Sequence, residues 1–270
     1  MSSFTLVSVG LVQYSYFMVG ASVLLFMAAG WCFGRFHQKK RAKPITLQDG
    51  LVGAIFGLSA LALGFTFASA TSGFIARVEG NRTEASAIKA LYLSAKYLES
   101  ADQERLEKSL RELLDVRING YVNISSVAEA DSVADKINSF IIKINEDTLI
   151  AAQKITTKNQ LLVDQILKPQ LANLTTVFTT GTIKVTRHPP RLIMSFLFIL
   201  LMIGSVLTGY SMVIKNETNW TLSILYAFLI SLTFYVILSL EYPNLFMPSQ
   251  EFNRDLLMVR DVFTQSALKR

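Results

Sequence analysis

The chain has 270 residues and a formal net charge of +6; 51% of the residues are hydrophobic and only 17% are charged. Soluble domains carry about 25% charged residues, and the charges here are clustered between long uncharged stretches, which indicates an integral membrane protein. The single cysteine, Cys32, excludes an internal disulfide and a thiolate metal cluster. The basic and aromatic residues do not form a module typical of a nucleic-acid-binding protein, so no nucleic-acid partner is expected.

Four stretches are long and apolar enough to cross a bilayer, for which a helix needs about 20 residues. They cover about residues 14–33, 51–74, 192–214 and 220–240, and they contain no Asp, Glu, Lys, Arg or His. Aromatic rings near their ends, such as those of Tyr14, Trp220 and Tyr242, favour the headgroup layer. The spans therefore predict two transmembrane hairpins, within residues 1–75 and 190–241.

The second span has the most specific pattern within the predicted membrane region. Small residues and one threonine share a face of this helix: Gly53, Gly57, Ala60, Gly64, Ala68 and Thr71. Such faces let helix backbones approach closely in lipid, and Gly30 and Gly34 form a similar pair in the first span. The face predicts either packing within one chain, or a contact between copies or a pore-facing stripe. Phe56, Phe65 and Phe67 lie on the same helix, where they could narrow a pore or face lipid.

The polar sequence between the hairpins, residues 76–189, has helical periodicity. Apolar faces recur around Ile88 and Leu110, and a capping box at Ser126 and Glu129 marks a helix start. The periodicity then predicts one helix that ends at Pro169, or two helices with a break near Asn145. We therefore predict an all-α integral membrane fold: four transmembrane helices in two hairpins, an inserted extramembrane helical bundle, and a C-terminal tail at residues 242–270.

The residues that could carry chemistry are few. No catalytic, cofactor-binding or metal-binding pattern is visible, so an enzyme is not expected. Spans without ionisable residues argue against a proton-coupled carrier and permit a passive pore. Glu241 directly follows the fourth span, where it could bind a cation or a basic loop, or lie in interfacial water. Glu84 is expected to open a helix just after the second span, where its charge would favour the helix N-terminal dipole.

Several short motifs resemble the bestrophin-like domain family of mostly bacterial four-span membrane proteins of unknown function. They are Gly50–Gly57, Leu63–Phe67, Glu84–Ile88 with Tyr92 after it, the tandem prolines 189–190, and the acidic-proline end of the fourth span. That end tends to read Asp-Leu-Asp-x-Pro in the family, whereas Ser239–Pro243 has one acid where the family often has two. True bestrophins are pentameric anion channels with a cytosolic helical region, so the resemblance implies a homo-oligomer, a pentamer, around a pore.

Charge near the membrane edges bears on orientation. The basic loop at residues 35–49 predicts, by the positive-inside rule, that this loop faces the cytoplasm from a bacterial cytoplasmic (inner) membrane. The termini and the middle domain would then lie outside. Basic residues that flank the middle domain, among them Arg77, Lys184 and Arg191, nearly equalise the number of Lys and Arg residues on the two sides of the membrane. The bestrophin resemblance also puts the middle domain in the cytosol, so both orientations stay open.

The leading functional prediction is an oligomeric ion channel or channel-like pore in the lipid bilayer, with the second span near the axis and ions of unspecified identity as its cargo. The alternative is a membrane sensor or scaffold whose helical domain binds a ligand or a partner protein.

Overall fold

A computed structural model describes residues 9–39, 49–121, 127–155, 157–185, 191–216 and 219–268, and every regular element in them is helical. The helices are α1 (Val9–Lys39), α2 (Asp49–Ser94), α3 (Ser100–Asn119), α4 (Val127–Gln153), α5 (Thr157–Leu162), α6 (Lys168–Val185), α7 (Arg191–Ile214), α8 (Trp220–Glu241), α9 (Pro243–Phe246), α10 (Ser249–Phe252) and α11 (Arg254–Leu268). The predicted all-α fold is confirmed. Four of these helices, α1, α2, α7 and α8, are long and apolar enough to cross a membrane, so the chain is a multi-pass membrane protein.

The chain divides into two compact units. The membrane unit consists of Gly10–Gly73 and His188–Pro243, and the helical unit consists mainly of Phe74–Arg187 and Asn244–Arg270. The tail after the fourth span is therefore part of the helical unit.

In the membrane unit, α1 packs closely on α7 and α8. A Cβ added to Gly30 would collide with the Val206 backbone, and one added to Gly34 would lie 3.0 Å from Val213 Cβ, so α1 and α7 run in the same direction. Gly20 lies against Ser231 of the antiparallel α8. The small residues of the first span are thus used for packing within the chain, which is one of the two interpretations that the sequence left open for such patterns.

The helical unit has one apolar core, to which the end of α2 and the C-terminal tail both contribute. Ile88 and Leu91 of α2 are fully buried, as is Leu110 of α3. On α11, Leu256 and Phe263 join the same core, and the Phe263 ring stacks on Tyr92 with 4.0 Å between centroids. The 15-residue α11 is therefore held by burial of its apolar face.

The second span does not end where its apolar residues end. Helix α2 continues for 46 residues, from Asp49 to Ser94, without a break near Phe74. The segment after Phe74 contains no proline, and its one glycine, Gly80, costs only about 1 kcal/mol in a helix interior. Glu84 consequently lies inside α2, and the prediction that it opens a helix is wrong.

The break in the long middle helix was also placed wrongly. Helix α4 begins at Val127, directly after Ser126, which lies outside the described residues, and it ends at Gln153 rather than near Asn145. Pro169 does not end a helix but lies in the first turn of α6. A π-helical turn, Val163–Leu167, precedes it and joins α5 to α6, which accommodates the missing proline N–H.

The π-helical turn also shifts which residues are buried. Leu162 and Ile166 share a helix face by their spacing, but the structure buries Val163 and Leu167 instead. The backbone N–H of Lys168 donates to the carbonyl of Val163, five residues earlier, so the turn contains one residue more than a regular α-helical turn.

Candidate functional site

One face of α2 in the membrane unit has no packing partner within the described chain. We call it the open face; its residues are Gly53, Gly57, Ala60, Gly64, Ala68 and Thr71. The first five are exposed and Thr71 is half-buried. A Cβ added to Gly53, Gly57 or Gly64 would meet no described atom within 4 Å, whereas one added to Gly30 or Gly209 would collide with backbone. The glycines of the open face therefore have no close neighbour among the described residues.

The opposite side of α2 attaches this helix to the rest of the membrane unit. Ser59, Ala62, Thr66 and Ala70 are buried there. The Ser59 hydroxyl donates to the Ile55 carbonyl and the Thr66 hydroxyl to the Ala62 carbonyl, both at 2.8 Å, so neither buried hydroxyl needs a partner on another helix. This anchoring turns the open face away from the described partners of α2.

The candidate phenylalanines differ in their surroundings. Phe56 packs inside the membrane unit, edge-on to Tyr226 with 6.2 Å between ring centroids, and beside Gly204. Phe67, on the border of the open face, is 42% exposed, and Phe65 is 63% exposed. Phe65 and Phe67, unlike Phe56, are therefore free to meet another copy or a permeating ion.

The hydroxyl of Thr71 is directed by its own helix. Its Oγ1 donates to the Phe67 carbonyl at 2.9 Å. Because the single hydroxyl proton is used in that bond, the oxygen lone pairs remain available to a ligand. An acceptor oxygen suits a cation or a water molecule.

A groove in the helical unit is also lined by threonine hydroxyl groups. It has a volume of about 500 Å³ and lies between α4 and α6. Its lining residues are Asn145, Leu149, Lys168, Leu171, Ala172, Thr175, Thr176, Thr179 and Thr180. Sequence reasoning missed this groove, although threonines at positions i, i+1, i+4 and i+5 of a helix predict a polar stripe.

The threonines of the groove also present acceptor oxygens. The hydroxyls of Thr175, Thr176 and Thr179 donate to carbonyls four residues earlier, at 2.8–3.0 Å. Among the described residues that line the groove, Lys168 is the one with an ammonium group, and it is paired with Asp164 at 2.5 Å. The groove therefore has little net charge and many lone pairs, which is suitable for weak contacts with cations and water.

Glu84 takes part in a buried ion pair of the helical unit. It accepts a 2.6 Å hydrogen bond from Nε of Arg117, and the side chains are 7% and 12% exposed. Nη2 of Arg117 also donates to Oδ1 of Asn81 at 2.8 Å, and Nδ2 of Asn81 donates to the carbonyl of Phe252 at 3.0 Å. This network ties α2 to α3 and to α10. Sequence reasoning missed it, although Asn81 and Glu84 share a helix face at i, i+3 spacing.

Tyr121 lies beside this network. Burial raises the pKa of its phenol above the ordinary value of 10.0, the Arg117 cation opposes that rise, and the Glu84 and Asp131 carboxylates add to it. The Arg117 guanidinium lies 5.3 Å from the ring centroid.

We expect Tyr121 to titrate above pH 10. An unfolded chain would release the proton near pH 10 while the folded chain keeps it, so the free energy of unfolding should fall as the pH rises past 10. The measurement is the phenolate absorbance of the wild type minus that of Tyr121→Phe across pH. Arg117→Met should shift the midpoint further upward because the opposing cation is lost. A difference midpoint at or below 10 would contradict this assignment.

Glu241 is the last residue of α8 and is 8% exposed. It lies in the membrane unit, whereas Glu84 lies in the helical unit, so the two candidate carboxylates do not belong to one compact unit. Among the described residues, no group of three His, Cys, Asp or Glu side chains could share a metal ion. Most of the predicted cytoplasmic loop, residues 40–48, lies outside the described residues.

The described fold is similar to that of solved structures, several of them of a bacterial bestrophin homolog. A crystal structure of a bacterial bestrophin homolog variant from Klebsiella pneumoniae matches with a TM-score of 0.65 and 14% identity, covering 92% of this chain and 99% of that chain. Another structure of a bestrophin homolog from this organism gives 0.60 and 16%, covering 91% and 98%. A crystal structure described as a membrane protein gives 0.62 and 16%, covering 90% and 98%.

No protein-family model matches the sequence, and no curated protein matches it either. The matches to solved structures confirm the resemblance to the bestrophin-like family as a similarity of fold along nearly the whole chain.

Proposed function

From its bestrophin-like fold, we propose that this protein is a homo-oligomeric ion channel, in which the open faces of α2 from several copies surround a central pore. The observation that carries this proposal is the open face itself. Its glycines have no described neighbour, although glycines elsewhere in the membrane unit are tightly packed. By resemblance to bestrophins, the number of copies is five.

Exposed glycines favour a protein partner over lipid. Small residues gain little from disordered acyl chains, but they let helix backbones approach one another and gain dispersion contacts. Helix α2 is also the least buried of the four apolar helices, with 17% of its apolar window buried inside the chain. A ring of copies would cover this helix, and Thr71 and Phe67 would then face the axis.

The available side-chain chemistry favours cations as the cargo. The spans carry no ionisable residue that could relay protons, so conduction would be passive. On the open face and in the threonine groove, the hydroxyl protons are bound to backbone carbonyls, and the oxygen lone pairs are what remain to coordinate an ion. Such oxygens coordinate a monovalent cation better than an anion.

We also propose a bacterial cytoplasmic membrane with the loop at residues 35–49 on the cytoplasmic side. Because α1 and α7 run in parallel, Lys39 and Lys215 both follow spans that end on the same side. Lys215 therefore adds one basic residue to the side that the positive-inside rule assigns to the cytoplasm.

The test combines the mass of the purified oligomer with ion flux. We expect a ring of identical subunits, and liposomes with a KCl gradient should show a reversal potential of the sign expected for K⁺ rather than Cl⁻. A monomer would contradict the proposal, as would well-folded oligomers without flux when voltage, calcium and pH are varied. Flux with the Cl⁻ sign would contradict only the preference for cations.

A further inference from the structure

The end of α1 carries a cluster of aromatic and basic side chains that the proposed channel does not use. Trp31, Arg35 and Lys39 follow one another at intervals of four, so they share one side of the helix. The Arg35 guanidinium lies 4.4 Å from the centroid of the Trp31 ring. Trp31 in turn meets Trp220, the first residue of α8, edge-on with 6.0 Å between centroids. We call Trp31, Arg35, Lys39 and Trp220 the basic-aromatic cluster.

The cluster lies where membrane helices end. Trp31 is near the end of the apolar part of α1, and Trp220 begins α8, so both rings are at the depth where amphipathic aromatic side chains meet headgroups. The exposed rings of Phe33 and Phe36, each 58% exposed, lie on the same segment. A lipid at this position would therefore contact apolar rings and cations together.

The two cations of the cluster have no counter-charge in the described structure. Arg35 and Lys39 are exposed, and among the described residues no carboxylate lies within ion-pair distance of either. Contact with Trp31 restricts the orientation of the Arg35 side chain without using its hydrogen-bond donors, because the ring meets the face of the guanidinium. Within the described part of the chain, all five N–H groups of Arg35 thus remain available for an anion.

We propose that the basic-aromatic cluster binds the headgroup of an anionic phospholipid. The planar guanidinium of Arg35 would bind the phosphate diester through two parallel hydrogen bonds. Lys39, one turn further from the membrane, would contact the polar group that is attached to the phosphate. A glycerol headgroup accepts a hydrogen bond from Lys39, whereas the amine of a zwitterionic headgroup is repelled by it. This charge complementarity selects phosphatidylglycerol over phosphatidylcholine.

The molecule contains its own reporter for this site, because Trp31 and Trp220 are the only two tryptophans in the sequence. The full chain is reconstituted in phosphatidylcholine vesicles that contain a rising fraction of brominated phosphatidylglycerol or brominated phosphatidylcholine, and tryptophan emission is recorded. Brominated phosphatidylglycerol should quench at lower mole fractions. A basic residue near an anionic surface contributes about fivefold in affinity, so the relative association constant should be about fivefold or higher.

Three variants distinguish the site from general surface charge. Arg35→Gln should remove most of the preference, and Arg35→Lys should keep part of it, which also controls for misfolding. Lys108→Gln removes an exposed cation of the helical unit and should change nothing. Identical quenching curves for the two brominated lipids in the wild type would overturn the proposal, as would an unchanged preference in Arg35→Gln. Loss of the preference on addition of millimolar inorganic phosphate would identify a free phosphate site and overturn the lipid assignment.

Discussion

Leucine in place of Gly57 should abolish assembly and ion flux while each chain keeps its fold. No described atom lies within 4 Å of a Cβ at this position, so the chain has room for the new side chain. The substitution also removes the cost of a glycine in a helix, about 1 kcal/mol. If copies meet through the open face, leucine would overpack each contact by about 1–3 kcal/mol. Over several contacts per ring, flux should fall more than about tenfold.

The measurements are circular dichroism for the fold, native mass for assembly and liposome flux for function. Gly80→Leu is the matched control, because Gly80 lies in the part of the same helix that belongs to the helical unit and also has open space around it; this variant should assemble and conduct normally. Gly30→Leu should instead unfold the membrane unit, because its side chain would collide with the Val206 backbone. An assembled, conducting Gly57→Leu protein would rule out the open face as the contact between copies.

Methionine in place of Arg117 should be the most destabilising change in the helical unit. It leaves the Glu84 carboxylate buried without its cation, which costs about 3–5 kcal/mol. It also removes the donor to Asn81, whose amide holds the backbone carbonyl of Phe252. Urea unfolding followed by circular dichroism would measure the loss.

An exposed ion pair provides the control for this prediction. Lys168→Met removes the partner of Asp164, but both side chains are nearly half exposed, so stability should change by no more than about 1 kcal/mol. The double variant Glu84→Leu with Arg117→Met should recover much of the loss, because it replaces a buried pair with apolar side chains. If Arg117→Met were no more destabilising than Lys168→Met, the network would have no structural role.

The membrane spans could be predicted from the sequence because their signal is local. A bilayer requires about 20 consecutive apolar residues in a helix, and the observed α7 and α8 begin and end within a residue or two of the predicted bounds. The helical class of the middle domain follows from periodicity for the same reason. Helix ends were less predictable: α2 runs through Phe74, and α4 ends at Gln153, because weak local preferences yield to tertiary packing.

Contacts between distant parts of the chain were decided only by the tertiary structure. Gly30 and Gly57 belong to the same type of sequence motif, yet one meets the backbone of α7 and the other meets no described neighbour. Glu84 finds its partner 33 residues away, and the C-terminal tail packs on the end of α2. Sequence determined which segments are apolar, helical and uncharged, since these are properties of each residue and its neighbours along the chain. Which glycine face is filled, and which carboxylate is neutralised, depends on which helices lie side by side, and that is a property of the folded chain.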